Sequence, residues 1–448
     1  MTLLIKDGHV VNPATKMDET ADVLIEDDKV VKIEKHIKKE NPDMTISAKG
    51  CYVMPGFIDM HVHFRDPGYE AKEDIFTGME AAAHGGYTTV LTMPNTKPVA
   101  DCTDVINYVH NKAKAGNCIH VMQVGAITKG QQGKELADIE EMVKAGIPAI
   151  SEDGKSVMDA SLYRQGMLKA AELGIPVLAH CEDINLRKNG VVNDDEKAKK
   201  LGMPGISNAV ENVIAARDIL LAADTGVQLH LCHCSTKESV VIMKVAKEEG
   251  IPVTAEVCPH HFTLTSDDIP EYRSQRGAGI VISDEMDEDT NYKMNPPLRS
   301  AEDVQALKEG LRDGIMDVIA TDHAPHTFED KNTTMREAPF GIVGLETAAS
   351  LTYSELVREG YLTPMQMAEK MSYNPAKIIG IDKGDIQPGK VADLVIFDPH
   401  ETYRIDKNTF ASKGRNTPFD GRRVTGRVKY TVCDGRIVYQ MKEDEKDD

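Results

Sequence analysis

The middle of this 448-residue chain repeats one alternation eight times, and no other feature restricts the fold as much. Short apolar runs stand at Gly56 to Met60, Thr88 to Met93, Ile119 to Ile127, Ile147 to Ser151, Pro176 to Ala179, Gln228 to Cys232, Ile251 to Val257 and Met316 to Ala320. Between them, Ile75 to His84, Leu136 to Ala145, Leu162 to Leu173, Val210 to Ala223, Glu238 to Glu248 and Ala301 to Arg312 carry apolar residues at helical spacing, and several end in Gly before the next run. Strand and helix alternating in this way make a parallel sheet, because each parallel pairing needs a crossover. Eight units over residues 54–382 predict an α/β fold, a (β/α)8 TIM barrel whose strands all end at one mouth. An open doubly wound sheet is the alternative, but polar motifs at nearly every strand end favour closure.

The two flanks read differently. Residues 1–53 and 383–448 consist of short β-branched runs separated by Asp-Gly, Asn-Pro and Pro-Gly turns, which predicts one smaller, β-sandwich-like domain built from both chain ends. With aromatics at 5% and no Trp, the core must be aliphatic and Met-rich. A formal charge of −20 opposes a phosphate backbone, so nucleic acid is excluded as a partner. There is no apolar run long enough for a membrane span and no signal-peptide pattern at the start, so a cytoplasmic location is expected. The eight cysteines include no C-x-x-C pair and read as thiols, not as a disulfide framework. The charged tail from Lys442 to Asp448 reads as a frayed end.

Chemistry enters with His61-Val62-His63 at the end of the first run, where alternation turns both imidazoles to one side. Taken alone, such a pair is as often two packed histidines. Four more ligand types follow at later strand ends: Asp153, His180, His233 and Asp322. Six imidazole and carboxylate groups exceed the demand of one tetrahedral zinc. They suit two ions roughly 3.5–4 Å apart sharing a carboxylate and a hydroxide, although one ion would satisfy the same ligands.

Around these residues stand, in order, FIDMHVHFRDPG, TMPNT, SEDG, LAHCED, LHLCHCST, KMNPPLR, TDHAPH and APFGIVGLE. The set resembles the amidohydrolase superfamily, and within it the bacterial single-chain (class I) dihydroorotases, whose bridging ligand is an aspartate in place of a carboxylated lysine. The resemblance spans the whole chain. It implies two zinc ions, His61 and His63 on one, His180 and His233 on the other, Asp153 and a hydroxide bridging, and Asp322 both ligating and moving protons as general base and acid. It implies that Arg65, Asn95 and Asn295 bind the carboxylate and ring of dihydroorotate, and that His326 with Phe340 and Gly341 completes the pocket. The implied reaction is the reversible hydrolysis of (S)-dihydroorotate to N-carbamoyl-L-aspartate in pyrimidine biosynthesis, with metal-bound hydroxide as nucleophile. Aspartate transcarbamoylase, a partner of some dihydroorotases, is implied as a partner. A homodimer is expected on the commonness of twofold symmetry.

Arg65 supports this from the residues alone, since a guanidinium near a hydrolytic centre suits an anionic substrate. By default, an Arg after a strand is a surface charge and an Asn before Pro is turn chemistry. Cys232 and Cys234 flank His233 and should face away from it, and of the neighbours His260 and His261 at most one can enter the site. His9, His36, His84, His110 and His120 show no partner at ligand spacing. Glu152 stands where the family usually has a second aspartate, and alternation turns it away from the centre. Lys155 leaves a carbamylated-lysine bridge open, but Gly154 breaks the strand before it. The polar stretch 327–339 suggests a lid. Two other functions remain open: a hydantoinase, dihydropyrimidinase or allantoinase acting on neutral rings, and an inactive scaffold for aspartate transcarbamoylase.

Overall fold

A computed structural model of the chain describes residues 1–271 and 288–442; residues 443–448 of the charged tail lie outside the described residues. All eight expected runs form strands. Phe57–Val62 pairs parallel with Tyr87–Thr92, and that strand with His120–Gln123. The third strand breaks at Val124, and its continuation Gly125–Ala126 pairs parallel with Ile150–Ser151. From there the parallel order runs through Val177–Ala179, Leu229–Leu231, Val253–Val257 and Val318–Ile319. A parallel bridge from Val62 to His323, with His63 N donating to His323 O at 2.8 Å, joins last strand to first. The barrel is thereby closed.

The strands alternate in what they bury. Ile58, Met60, Leu91, Met93, Val124, Ala149, Leu178, Cys232, Val318 and Ala320 fill one cluster, shared with Ala376 and Ile379 of the segment after the barrel. Outward residues such as Val62, Val90, Ile150, Val177 and Leu229 meet the helices in a larger aliphatic cluster. The helices start and stop where local chemistry dictates. Asp74 caps Ile75–His84 by accepting from Phe76 N and Thr77 N, and Ser300 caps Ala301–Arg312 in a reciprocal box. Thr103–Gly116, between the second and third strands, was not among the helical stretches read from the sequence.

Both chain ends share one mixed sheet of eight strands with its own apolar core. Tyr52–Pro55 lies parallel to Thr2–Asn12 on one side and antiparallel to Leu394–Arg404 on the other, so early and late segments are stitched together at this strand. The sheet sits against the barrel: Thr431 Oγ1 donates to Ala83 O at 2.6 Å, and Gly56 N to Asp393 O at 2.9 Å. Among the described residues no helix is long and apolar enough to cross a membrane. All eight cysteines are free thiols.

Candidate metal-dependent active site

The carboxyl ends of the barrel strands bring together the six residues read as ligands. Asp153 stands at the centre, its Oδ1 3.1 Å from His61 Nε2, 3.5 Å from His180 Nδ1 and 3.8 Å from His233 Nε2, and its Oδ2 3.5 Å from His63 Nε2. Asp322 Oδ1 lies 3.1 Å from His63 Nε2 and 3.6 Å from His61 Nε2. Two overlapping trios result, His61 with His63 and Asp322, and His61 with Asp153 and His233. All are buried.

Three of the residues at this mouth depart from extended backbone. Arg65, His233 and Asp322 have φ of 62°, 33° and 50°, a region that L residues enter only when the surroundings enforce it. The turn at each strand end, not simple alternation, therefore aims these side chains. This also corrects the reading of the cysteines: Cys232 lies in the inner cluster beside His61 and Glu256, while Cys234 packs outside among the helices. His260 and His261 are likewise not on a strand. They open the short helix Pro259–Thr263, both buried, with ring centroids 4.2 Å apart, and His261 Nε2 donates to Pro296 O.

The donor set fits divalent ions. His61 Nε2 is buried and makes no hydrogen bond although a carboxylate oxygen lies 3.1 Å away. His63 Nε2 faces Asp322 Oδ1 at 3.1 Å and His180 Nδ1 faces His233 Nε2 at 2.9 Å, so the nitrogen and carboxylate atoms of the six crowd one small volume, as a shared cation requires. Imidazoles and carboxylates interact strongly here. Burial opposes the charge on His180, yet its hydrogen bond to Asp153 outweighs this and raises its pKa to about 10. His61 is likewise raised against burial by the Asp153 charge, and Asp153 is held well below the usual carboxylate range, chiefly by His61 once burial is overcome. Asp153 therefore stands as a carboxylate, the form that binds a cation.

Glu256 and Glu182, which the sequence reading missed, buttress the histidines. Glu256 Oε1 accepts from His61 Nδ1 at 2.8 Å and from His233 N at 3.1 Å, and Oε2 pairs with His230 at 3.0 Å. Burial raises its pKa, but the hydrogen bonds from His230 and His61 prevail and bring it to about 2. Such a carboxylate fixes the ring orientation and basicity of a ligating imidazole. The available signal was a charged residue inside the apolar run Val253–Val257. Glu182 stands 3.4 Å from His180 Nε2 and accepts from Asn295 Nδ2 at 3.0 Å.

A cavity of about 150 Å³ opens onto the centre, lined by His63, Arg65, Asn95, Asp153, His180 and His233 together with Gly154, Asn295, Asp322, Ala324, Phe340 and Gly341. Arg65 Nε donates to Pro325 O at 3.2 Å, and its Nη2 lies 3.4 Å from His326 Nε2. His326 is just behind the wall, where its Nε2 donates to Phe340 O at 2.9 Å. Asn95 faces His63 Nδ1 at 2.9 Å and donates to Asp153 Oδ2 at 3.2 Å, so it supports two of the clustered residues as well as lining the cavity. Glu152 is turned away, accepting from Ile127 N and Thr128 N, and Lys155 Nζ donates to Gln131 O. In the segment 327–339, a helix at Phe328–Lys331 ends in a lysine whose Nζ donates to Thr290 O, Lys293 O and Pro339 O. Of the histidines read as lacking partners, His9 meets Asp18, His84 meets Glu346 and His120 meets Asp434, the last from the far end of the chain.

A closed parallel barrel with imidazoles and carboxylates converging at its carboxyl mouth defines a class of metal-dependent hydrolases, and residues 52–438 match the amidohydrolase family, to which the chain belongs. Its curated relatives include dihydroorotases from Pelotomaculum thermopropionicum, 48% identical over 98% of this chain and 99% of the relative, and from Clostridioides difficile, 45% identical over 98% and 99%. Similar solved structures include L-hydantoinase from Arthrobacter aurescens (TM-score 0.83, 27% identity, 98% of this chain and 96% of that one) and D-hydantoinase from a Bacillus species (TM-score 0.82, 28%, 98% and 95%).

Proposed function

We infer that the chain is a dihydroorotase, interconverting (S)-dihydroorotate and N-carbamoyl-L-aspartate with two zinc ions held by His61, His63, His180, His233, Asp153 and Asp322. The observation that carries this is Arg65 beside the six-residue centre, in a chain 43–48% identical to dihydroorotases along nearly its full length. Bound divalent ions supply Lewis-acid polarisation of an amide carbonyl and lower the pKa of water toward about 7. Asp153, reaching all four imidazoles, suits the bridging position, and the contact of Lys155 Nζ with Gln131 O argues against a lysine bridge.

Asp322 lies on the cavity wall with Oδ1 directed at His63. As a carboxylate it takes the proton released when water adds to the ring carbonyl, then delivers it to the departing ring nitrogen. Arg65 holds the substrate carboxylate, oriented by Pro325 O. Asn95 and Asn295 flank the ring, with Phe340 and Gly341 completing the pocket.

The hydantoinase reading draws on the solved structures, but neutral rings need no guanidinium clamp. Zinc content and hydrolysis of dihydroorotate, dihydrouracil and hydantoin decide between them, in wild type and in Arg65→Ala. We expect turnover confined to dihydroorotate, and a loss in the variant of about 10- to 100-fold in kcat/KM, the worth of a charged hydrogen bond. Preferential turnover of the neutral rings would place the chain with the hydantoinases; bound zinc with no turnover would leave the scaffold. A homodimer, a cytoplasmic location and association with aspartate transcarbamoylase belong to the same proposal. Sedimentation of the purified protein with and without that partner tests the assembly.

A further inference from the structure

The segment 410–417, between the terminal-sheet strands Leu394–Arg404 and Arg423–Cys433, leaves the sheet and crosses to the barrel mouth. It is anchored by carboxylates there. Ser412 Oγ and Lys413 N donate to Glu73 at 2.5 and 3.2 Å, and Ala411 N donates to Glu346 at 2.7 Å. Glu73 is fully buried and also stands 3.4 Å from His323 Nε2, next to Asp322 in sequence.

At the end of this segment Asn416 is buried, and its side chain joins two separate stretches of the pocket wall. Oδ1 accepts from His326 N at 3.0 Å, while Nδ2 donates to Ala324 O at 3.0 Å and to Gly341 O at 3.1 Å. Its own carbonyl accepts from Val343 N at 3.0 Å. Both amide protons and the amide oxygen are therefore committed, and only a neutral amide meets a pattern of two acceptors and one donor. The two stretches touch so closely that a Cβ on Gly341, whose φ is +121°, would stand 2.6 Å from Ala324 Cβ. What Asn416 ties together in turn orients the guanidinium: Pro325 O, between the two residues that Asn416 bonds, accepts from Arg65 Nε at 3.2 Å, and the His326 ring stands beside Nη2.

We propose that Asn416 is a positioning residue for substrate binding, acting through Ala324–His326 and Gly341 to aim Arg65 at the substrate carboxylate. The proposal rests on the reading of Arg65 as the carboxylate clamp. It gives the terminal sheet a part in specificity.

Asn416→Asp turns two accepted protons into two carbonyl–carboxylate confrontations, and Asn416→Ala merely releases the tie. Steady-state hydrolysis of dihydroorotate, zinc content and Tm are compared among wild type and both variants. We expect KM to rise at least about tenfold in Asn416→Asp and less in Asn416→Ala, with kcat within about threefold of wild type and zinc unchanged. An unchanged KM in folded Asn416→Ala overturns the proposal. So does a fall in kcat together with zinc at constant KM, which is the mark of general loosening. If Asn416→Asp does not fold, Asn416→Ala decides by the same criteria. A wild type inert toward dihydroorotate defeats the dihydroorotase reading and takes the positioning role with it, whereas an active wild type with an unchanged KM in Asn416→Ala defeats the positioning role alone.

Discussion

Two clusters of histidine and carboxylate lie at opposite ends of the barrel, and only one has the character of a metal centre. At the amino end of the third strand, His120 Nε2 meets Asp434 at 3.1 Å and Asp393 at 3.7 Å, with Cys433 beside them. Its negative charge is already balanced: Lys383 Nζ lies 2.5 Å from Asp393 Oδ2, Asp434 N donates to Asp393 Oδ1, and burial drives the Cys433 thiol pKa up, away from a thiolate. At the carboxyl mouth no lysine or arginine is within ion-pair distance of Asp153 or Asp322 among the described residues, and the ionisable groups facing these two carboxylates are histidines. Residue types are alike in the two places. What separates them is whether the protein supplies its own cation.

The sharpest way to break this contrast is to remove the central carboxylate. Asp153→Ala is expected to lose zinc and all measurable hydrolysis, since in the proposed centre both ions would share that residue; zinc retained at wild-type stoichiometry, read by elemental analysis, would refute the bridging role. Asp322→Asn comes next, with kcat reduced by about 10²–10⁴-fold, the usual worth of general acid–base catalysis, and a larger share of metal kept than in Asp153→Ala. At the other cluster, His120→Ala should leave zinc and activity unchanged and cost under about 1 kcal/mol in chemical denaturation, as for exposed ion pairs. A drop in metal content there would erase the distinction.

The smallest effect concerns acid. The hydrogen bond from His120 holds the Asp434 carboxyl below its usual range against burial, with the His120 charge adding to it. A depressed folded pKa stabilises the protein above the unfolded value near 3.8 and loses that contribution as pH falls through the lower folded value. The stability gap between wild type and Asp434→Asn should therefore narrow below about pH 4. A gap that widens in acid would reverse the assignment.

Much of this was legible in the chain. Periodicity of the apolar runs gave all eight strands, because a buried parallel strand must be continuously apolar. The ligand types stood at their ends because the strand termini are where a barrel exposes polar side chains. Orientation was less accessible. Arg65, His233 and Asp322 turn through positive φ, so the rule that alternate residues share a face misplaced Cys232 relative to Cys234. His120 and Asn416 escaped for another reason: their partners are hundreds of residues away or in a different stretch of the pocket, and no local pattern encodes such meetings. Glu256 was visible as a misfit in an apolar strand, but its role emerges only when His61, His230 and His233 surround it.

The strand Tyr52–Pro55, held between Thr2–Asn12 and Leu394–Arg404, has a consequence for how the protein is made. A ribosome releases the early strands long before their late partner exists. The 94 residues from Asp322 to Asn416 take roughly 5–20 s to synthesise. During that interval every residue of the six-member centre has been synthesised, while the segment proposed to aim Arg65 has not. A nascent chain thus contains the candidate ligands before it contains the residue proposed to make them selective. Premature termination before residue 416 would leave a polypeptide with the hydrolytic groups but without the tie that sets its specificity, an unselective fragment for the cell to clear.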